Sequence, residues 1–168
     1  MNDVFNEQLV ARKPNQKDLI QKIGIGAAGA VLIFVALNVQ ALMGFILPII
    51  AVIIVGVVFL FRRYNIEYEY VFTNGDLDVD KIINKSKRKN ALSVNVRSFE
   101  TMVPVSNKDY EKEVSRFTKL YDFSSGTVKE NTYAAIFDKD KERCKMIFEP
   151  DEQMFKAIRT YIPRIVKK

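Results

Sequence analysis

Hydrophobic and polar positions divide this chain into three regimes. Residues 1–22 are mostly polar, and from Ile23 to Phe61 no charged residue occurs at all. A membrane-spanning helix needs about 20 apolar residues, so this run holds two spans. The amides Asn38 and Gln40 and the following Gly44 mark the break. The run therefore predicts one helix over about 20–37 and another over about 43–61. Pro48 then falls in the first turns of the second helix, where a missing amide donor matters least.

From Ile66 onward the period changes to two. Ile66, Tyr68, Tyr70 and Phe72 alternate with Glu67, Glu69, Val71 and Thr73, the pattern of a half-buried strand. Asn74-Gly75 follows, a pair suited to the positive φ angles of a two-residue hairpin turn. Such a turn fixes the register, setting Thr73 opposite Asp76, Phe72 opposite Leu77 and Tyr70 opposite Val79. Leu92, Val94 and Val96 predict a third strand over Ala91–Phe99, continued or turned at Pro104. The start of Asn107–Phe123 suggests a short helix and its end a strand. Thr132–Asp138 and Glu142–Glu149 read as a second hairpin. Phe155, Ile158, Ile162 and Ile165 recur at helical spacing behind Pro150, which suits a first helical position, so a terminal helix over about 150–161 covers the sheet. The class is α+β.

Charge sharpens this picture. The chain has 168 residues, 26 Lys and Arg against 20 Asp and Glu, and a net charge of +6. Arg12, Lys13, Lys17 and Lys22 precede the first apolar helix and Arg62 and Arg63 follow the second, while the turn between them is uncharged. By the positive-inside rule this predicts a two-pass protein of the cytoplasmic membrane with both termini cytoplasmic. The apolar run starts too far into the chain for a cleaved signal peptide. No ionisable residue lies inside the spans, which disfavours transport by this chain alone. Gly24–Ala30, with Ala51 and Gly56, form small surfaces for close helix packing, within the hairpin or between copies in a homo-oligomer.

Histidine is absent and Cys144 is the single cysteine. The commonest neutral-pH base is thereby missing, and a lone thiol without a histidine is a poor nucleophile. Cys144 reads as a small buried strand residue. No cofactor is implied and the expectation is a protein that is not an enzyme. Two charged clusters remain as candidates. Glu67, Glu69, Asp78 and Asp80 share the outer face of the first hairpin, with Glu69 opposite Asp80. Like charges so placed need a partner: a divalent metal held by oxygens, or lysines on the next strand, unless this is simply a solvated outer face. Lys85, Lys87, Arg88 and Lys89 follow at once. They suit anionic lipid headgroups or a solvated turn that neutralises the acids. Nucleic acid is disfavoured because no stacking platform or known motif accompanies them.

Two adjoining helices, then "EYEYVFTNGDLDVDKI" and "KSKRKN", resemble bacterial pleckstrin-homology-like membrane proteins, in which a helical hairpin precedes a strand of this form. More narrowly, "FNEQLVARKP" with the hairpin motif resembles a family of small two-helix membrane proteins from Clostridia-type Firmicutes. The resemblance implies an N-terminal transmembrane helical hairpin followed by a pleckstrin-homology-like antiparallel β-barrel or sheet with a C-terminal helix. The domains would be a cytoplasmic segment at 1–19, the hairpin at 20–63 and the cytoplasmic domain at 64–168. It implies no catalytic residues. The expected function is a membrane-anchored binding, scaffolding or regulatory module with the bilayer, anionic headgroups or a protein as partner. The alternatives are a structural subunit assembled through its helices, and a metal-dependent enzyme using the acidic face.

Overall fold

A computed structural model describes residues 4–167. The elements in order are β1 (Phe5–Ala11), α1 (Gln16–Asn38), α2 (Ile46–Arg62), β2 (Ile66–Thr73), β3 (Asp76–Ile83) and β4 (Lys87–Asn95). They continue with β5 (Phe99–Pro104), β6 (Lys119–Asp122), β7 (Tyr133–Lys139), β8 (Glu142–Phe148) and α3 (Glu152–Tyr161). One four-stranded sheet has the order β1-β2-β3-β4, the other β5-β7-β8-β6.

The apolar run forms the expected helix pair. Asn15 caps α1 and Asp18 returns a bond to the cap backbone, satisfying amide donors that the first turn leaves free. A six-residue 3-10 segment, Gln40–Phe45, joins the helices where the amides and Gly44 announced a break. Gln16–Asn38 and Gln40–Arg62 are each 23 residues long and apolar enough to cross a membrane, by length and composition. They pack tightly at Gly29, where an added Cβ would lie 2.8 Å from Val57.

The β2–β3 hairpin has the register that the turn dictates: Thr73 opposite Asp76, Phe72 opposite Leu77, Tyr70 opposite Val79. Asn74 and Gly75 carry φ of 50° and 102°. Alanine at Gly75 is strained there, and its Cβ would meet the Tyr161 ring at 3.1 Å. Gly75→Ala is expected to lower stability by about 1 kcal/mol, read as the urea midpoint of the full chain in maltoside micelles.

Three segments depart from the sequence reading. Residues 1–19 were expected as a separate segment, yet Phe5–Ala11 is a strand paired with β2 along its whole length. Its alternation is inverted. Phe5 and Leu9 are exposed, while Gln8 faces inward and its amide bonds the Glu149 carbonyl at 2.9 Å and the Asp151 N–H at 2.7 Å. The third strand begins at Lys87, not Ala91, and ends at Asn95. The chain then turns through Val96–Ser98, so Phe99 opens a strand of the other sheet. In Asn107–Phe123 the helix shrinks to one 3-10 turn at Lys108–Tyr110. Its end is a strand as expected, but β6 runs parallel to β8, which makes that sheet mixed.

Both sheets and α3 share one core, with Tyr70, Phe72, Leu77, Phe137, Phe148, Met154 and Ile158 fully buried. Tyr70 meets Phe148 edge-on at 6.1 Å between ring centroids. Helix α3 starts one residue beyond its cap Asp151, whose carboxylate accepts from the Met154 N–H at 2.7 Å; Pro150 therefore lies outside the helix. Met154, Ile158 and Ile162 form its buried stripe, and Phe155 instead stacks on Tyr133 at 4.9 Å.

Candidate functional site

The basic run splits as soon as it becomes a strand. Asn84 and Lys85 hold the β3–β4 turn at φ of 52° and 54°. A bulge between Val79 and Asp80 leaves Ala91 without a direct partner, so Asn90 pairs with Asp80 and Arg88 with Ile82. Arg88 thus lies on the acidic face, while Lys87 and Lys89 occupy the opposite one, two residues apart.

The turn is tied to the end of the helix pair. The Asn84 N–H donates to the Asn65 carbonyl at 2.8 Å, three residues after α2 ends at Arg62. A groove of about 280 Å³ opens between them, lined by Phe59, Arg62, Arg63, Ile83 and Lys87. The Arg63 guanidinium lies 5.6 Å from the centroid of the Phe59 ring, and Lys22 covers Tyr64 at 5.7 Å. Among the described residues Lys85, Lys87 and Lys89 make no ion pair. Cations grouped around an apolar floor can hold an anionic group that carries a hydrocarbon tail.

Glu67, Glu69, Asp78 and Asp80 do share a face, and Glu69 stands opposite Asp80 as the register required. Arg88 reaches both, at 2.6 Å from Glu69 and 3.9 Å from Asp80, and Asn90 donates to Asp80 at 3.0 Å. Glu69 is 3% exposed, and its second carboxylate oxygen is buried without a hydrogen bond. Burial raises its pKa above the ordinary value, against the lowering effect of Arg88, and Glu7 of β1 raises it further. Among the described residues no group of three or more His, Cys, Asp or Glu could hold a metal ion.

A second buried carboxylate, not singled out in the sequence, sits where the sheets meet. Glu149 is 1% exposed. It accepts from the Ser125 N–H at 2.8 Å, the Ser125 hydroxyl at 2.7 Å and the Lys129 ammonium at 2.6 Å. Its own N–H donates to the Tyr70 hydroxyl at 3.3 Å, and that hydroxyl donates to the Phe123 carbonyl at 2.6 Å. With Gln8, these groups stitch β1, β2, β8 and the loop after β6 together. Nothing in the spacing announces them, because the partners come from distant segments.

Burial alone would raise the Glu149 pKa, but the bonds from Lys129 and Ser125 outweigh it and hold the group below 4.5. The unfolded chain therefore takes up this proton at a higher pH than the fold does. The stabilisation is complete above about pH 4.5 and is lost as pH falls through the lower folded value. Urea midpoints should decline as pH falls below 4.5, and Glu149→Gln should flatten that decline. Cys144 is 1% exposed, and burial pushes its thiol pKa up, in keeping with a buried strand residue.

A family model described as a bacterial PH-like domain (DUF6106) matches residues 2–168. No curated protein gives a significant match, and neither does any solved structure.

Proposed function

From the premise that the chain belongs to the bacterial PH-like domain family, we propose that it is a membrane-anchored, non-catalytic binding module. Helices α1 and α2 cross the cytoplasmic membrane with both termini inside. The two sheets and α3 lie against the inner leaflet, where Lys85 and Lys87, with Arg62 and Arg63, hold anionic lipid headgroups. The bound surface then serves scaffolding or regulation.

The observation that carries this reading is the Asn84–Asn65 backbone bond. A basic turn on a free loop could point anywhere, but this one is fastened three residues from the end of an apolar helix. Juxtamembrane cations each contribute about 1 kcal/mol near an anionic surface. The non-catalytic part rests on a chain without histidine and a buried thiol held protonated.

The test uses the full chain in nanodiscs of phosphatidylcholine doped with spin-labelled phosphatidylglycerol. Selectivity for the anionic lipid over labelled phosphatidylcholine is expected. Lys85→Gln and Lys87→Gln should each reduce it about fivefold, and added salt should weaken it further. Equal selectivity for the two lipids would overturn the proposal.

A further inference from the structure

At the end of β1, the segment linking it to α1 and the loop after β6 enclose a cleft of about 570 Å³, within the usual range for small-molecule sites. One wall is pinned by the Lys13 N–H, which donates to the Ser125 carbonyl at 2.8 Å. The loop opposite turns at Gly126, with φ of 85°.

Tyr68 forms part of the lining and is 6% exposed. Its ring packs edge-on against Phe123 at 5.4 Å, and its hydroxyl has no hydrogen-bond partner among the described residues. The ring is buried, but the hydroxyl itself opens into the cleft rather than being sealed from solvent. Burial raises its pKa, with Arg12 opposing and Asp122 and Asp18 adding to the shift, so it presents an O–H donor to the cleft.

The charges around it have both signs. Arg12 pairs with Asp18 at 3.1 Å and retains further N–H donors, and Lys13 is exposed at the rim. Asp122 takes both Ser124 donors on one oxygen, leaving the other without a partner among the described residues. A simple anion would be repelled by Asp122, and a simple cation by Arg12 and Lys13. A molecule bearing both charges satisfies every group.

We propose that this cleft binds a zwitterionic phosphate ester carrying a primary amine, the phosphate on Tyr68, Arg12 and Lys13 and the ammonium on Asp122. The same chemistry occurs in an aminophospholipid headgroup and in its free soluble ester. The site is separate from the basic turn and does not depend on it.

Calorimetric titration of the full chain in maltoside micelles with glycerophosphoethanolamine tests this. Saturable binding is expected, at least tenfold tighter than for inorganic phosphate or ethanolamine alone. Tyr68→Phe and Lys13→Gln should each weaken it about fivefold without lowering the melting midpoint, whereas Lys85→Gln should leave it unchanged. Repeating the titration in phosphatidylethanolamine nanodiscs identifies the source. Loss of the heat there, but not in phosphatidylglycerol discs, assigns the site to the membrane lipid; retention in both assigns it to the soluble ester. No saturable heat in micelles, equal affinity for inorganic phosphate, or binding untouched by both variants would overturn the proposal.

Discussion

Replacing Glu149 by alanine is expected to destabilise the protein by roughly 3–5 kcal/mol, the largest effect of any polar substitution considered. The carboxylate holds two donors of Ser125, itself 2% exposed. Removing it orphans the Ser125 N–H where water does not reach, leaves the hydroxyl only Thr127 at 3.2 Å, and opens a cavity beside Tyr70. Lys129 contributes less to the loss because its side chain is 46% exposed and can rehydrate. Glu149→Gln keeps the volume and an oxygen that can accept from Ser125, so it should recover about half of the deficit. Urea unfolding of the full chain in micelles at pH 7 measures both. If alanine and glutamine cost the same small amount, the buried network does not hold the sheets together.

Arg88→Ala is expected to lower stability by about 1–2 kcal/mol at pH 8, less than for a fully buried pair because the arginine side chain is itself 58% exposed. The guanidinium is the counter-ion of Glu69, whose side chain is 4% exposed and whose other oxygen already lacks a partner. The dependence on pH has the opposite sense to that of Glu149. Burial raises the Glu69 pKa, so the fold holds this proton at pH values where the unfolded chain has released it. Its contribution is complete below about pH 4.5 and is lost as pH rises through the folded value. Without Arg88 the folded value climbs further, so the deficit of the variant should shrink as pH approaches 4.5. Arg88→Ala combined with Glu69→Gln should be less destabilised at pH 8 than Arg88→Ala alone. A deficit constant from pH 5 to 8 would mean that Arg88 acts through packing of its stem.

The pair also decides what Arg88 is for. Sequence grouped it with Lys85, Lys87 and Lys89 as one cationic cluster, but strand alternation sends it to the acidic face. There it neutralises Glu69 and Asp80, while Lys85 and Lys87 remain beside the end of α2. Lysines of the next strand were one expected neutraliser of the acids; the cation that arrives is an arginine.

The sequence was most legible where local rules and tertiary demands coincide. Asn74-Gly75 permits a single tight turn, and its register follows from counting. The apolar run and its amide break fixed the helix pair for the same reason. β1 was illegible because its inward face carries Gln8, an amide that pairs with backbone far along the chain, while Phe5 and Leu9 point outward. The start of β4 was missed because Lys87–Asn90 has poor strand propensity and is held by its ladder to β3. The corner at Val96–Ser98 was passed over because apolar alternation runs through it into Phe99. The cleft at Tyr68 was equally hidden, since its walls come from residues 12–16 and 122–127. Tyr68 itself read as an ordinary core position.

The central claim is that the β3–β4 turn is held at the headgroups of the inner leaflet while the Asn74-Gly75 turn points away. The two ends of β3 are about 24 Å apart at strand spacing, far enough for a depth-sensitive probe. A fluorophore on Ser86→Cys or on Thr73→Cys, in chains whose buried Cys144 is replaced by alanine, can be compared in vesicles with a headgroup-attached quencher. Strong quenching at position 86 and little at 73 is predicted. Equal quenching at both positions, or the reverse order, would contradict the account.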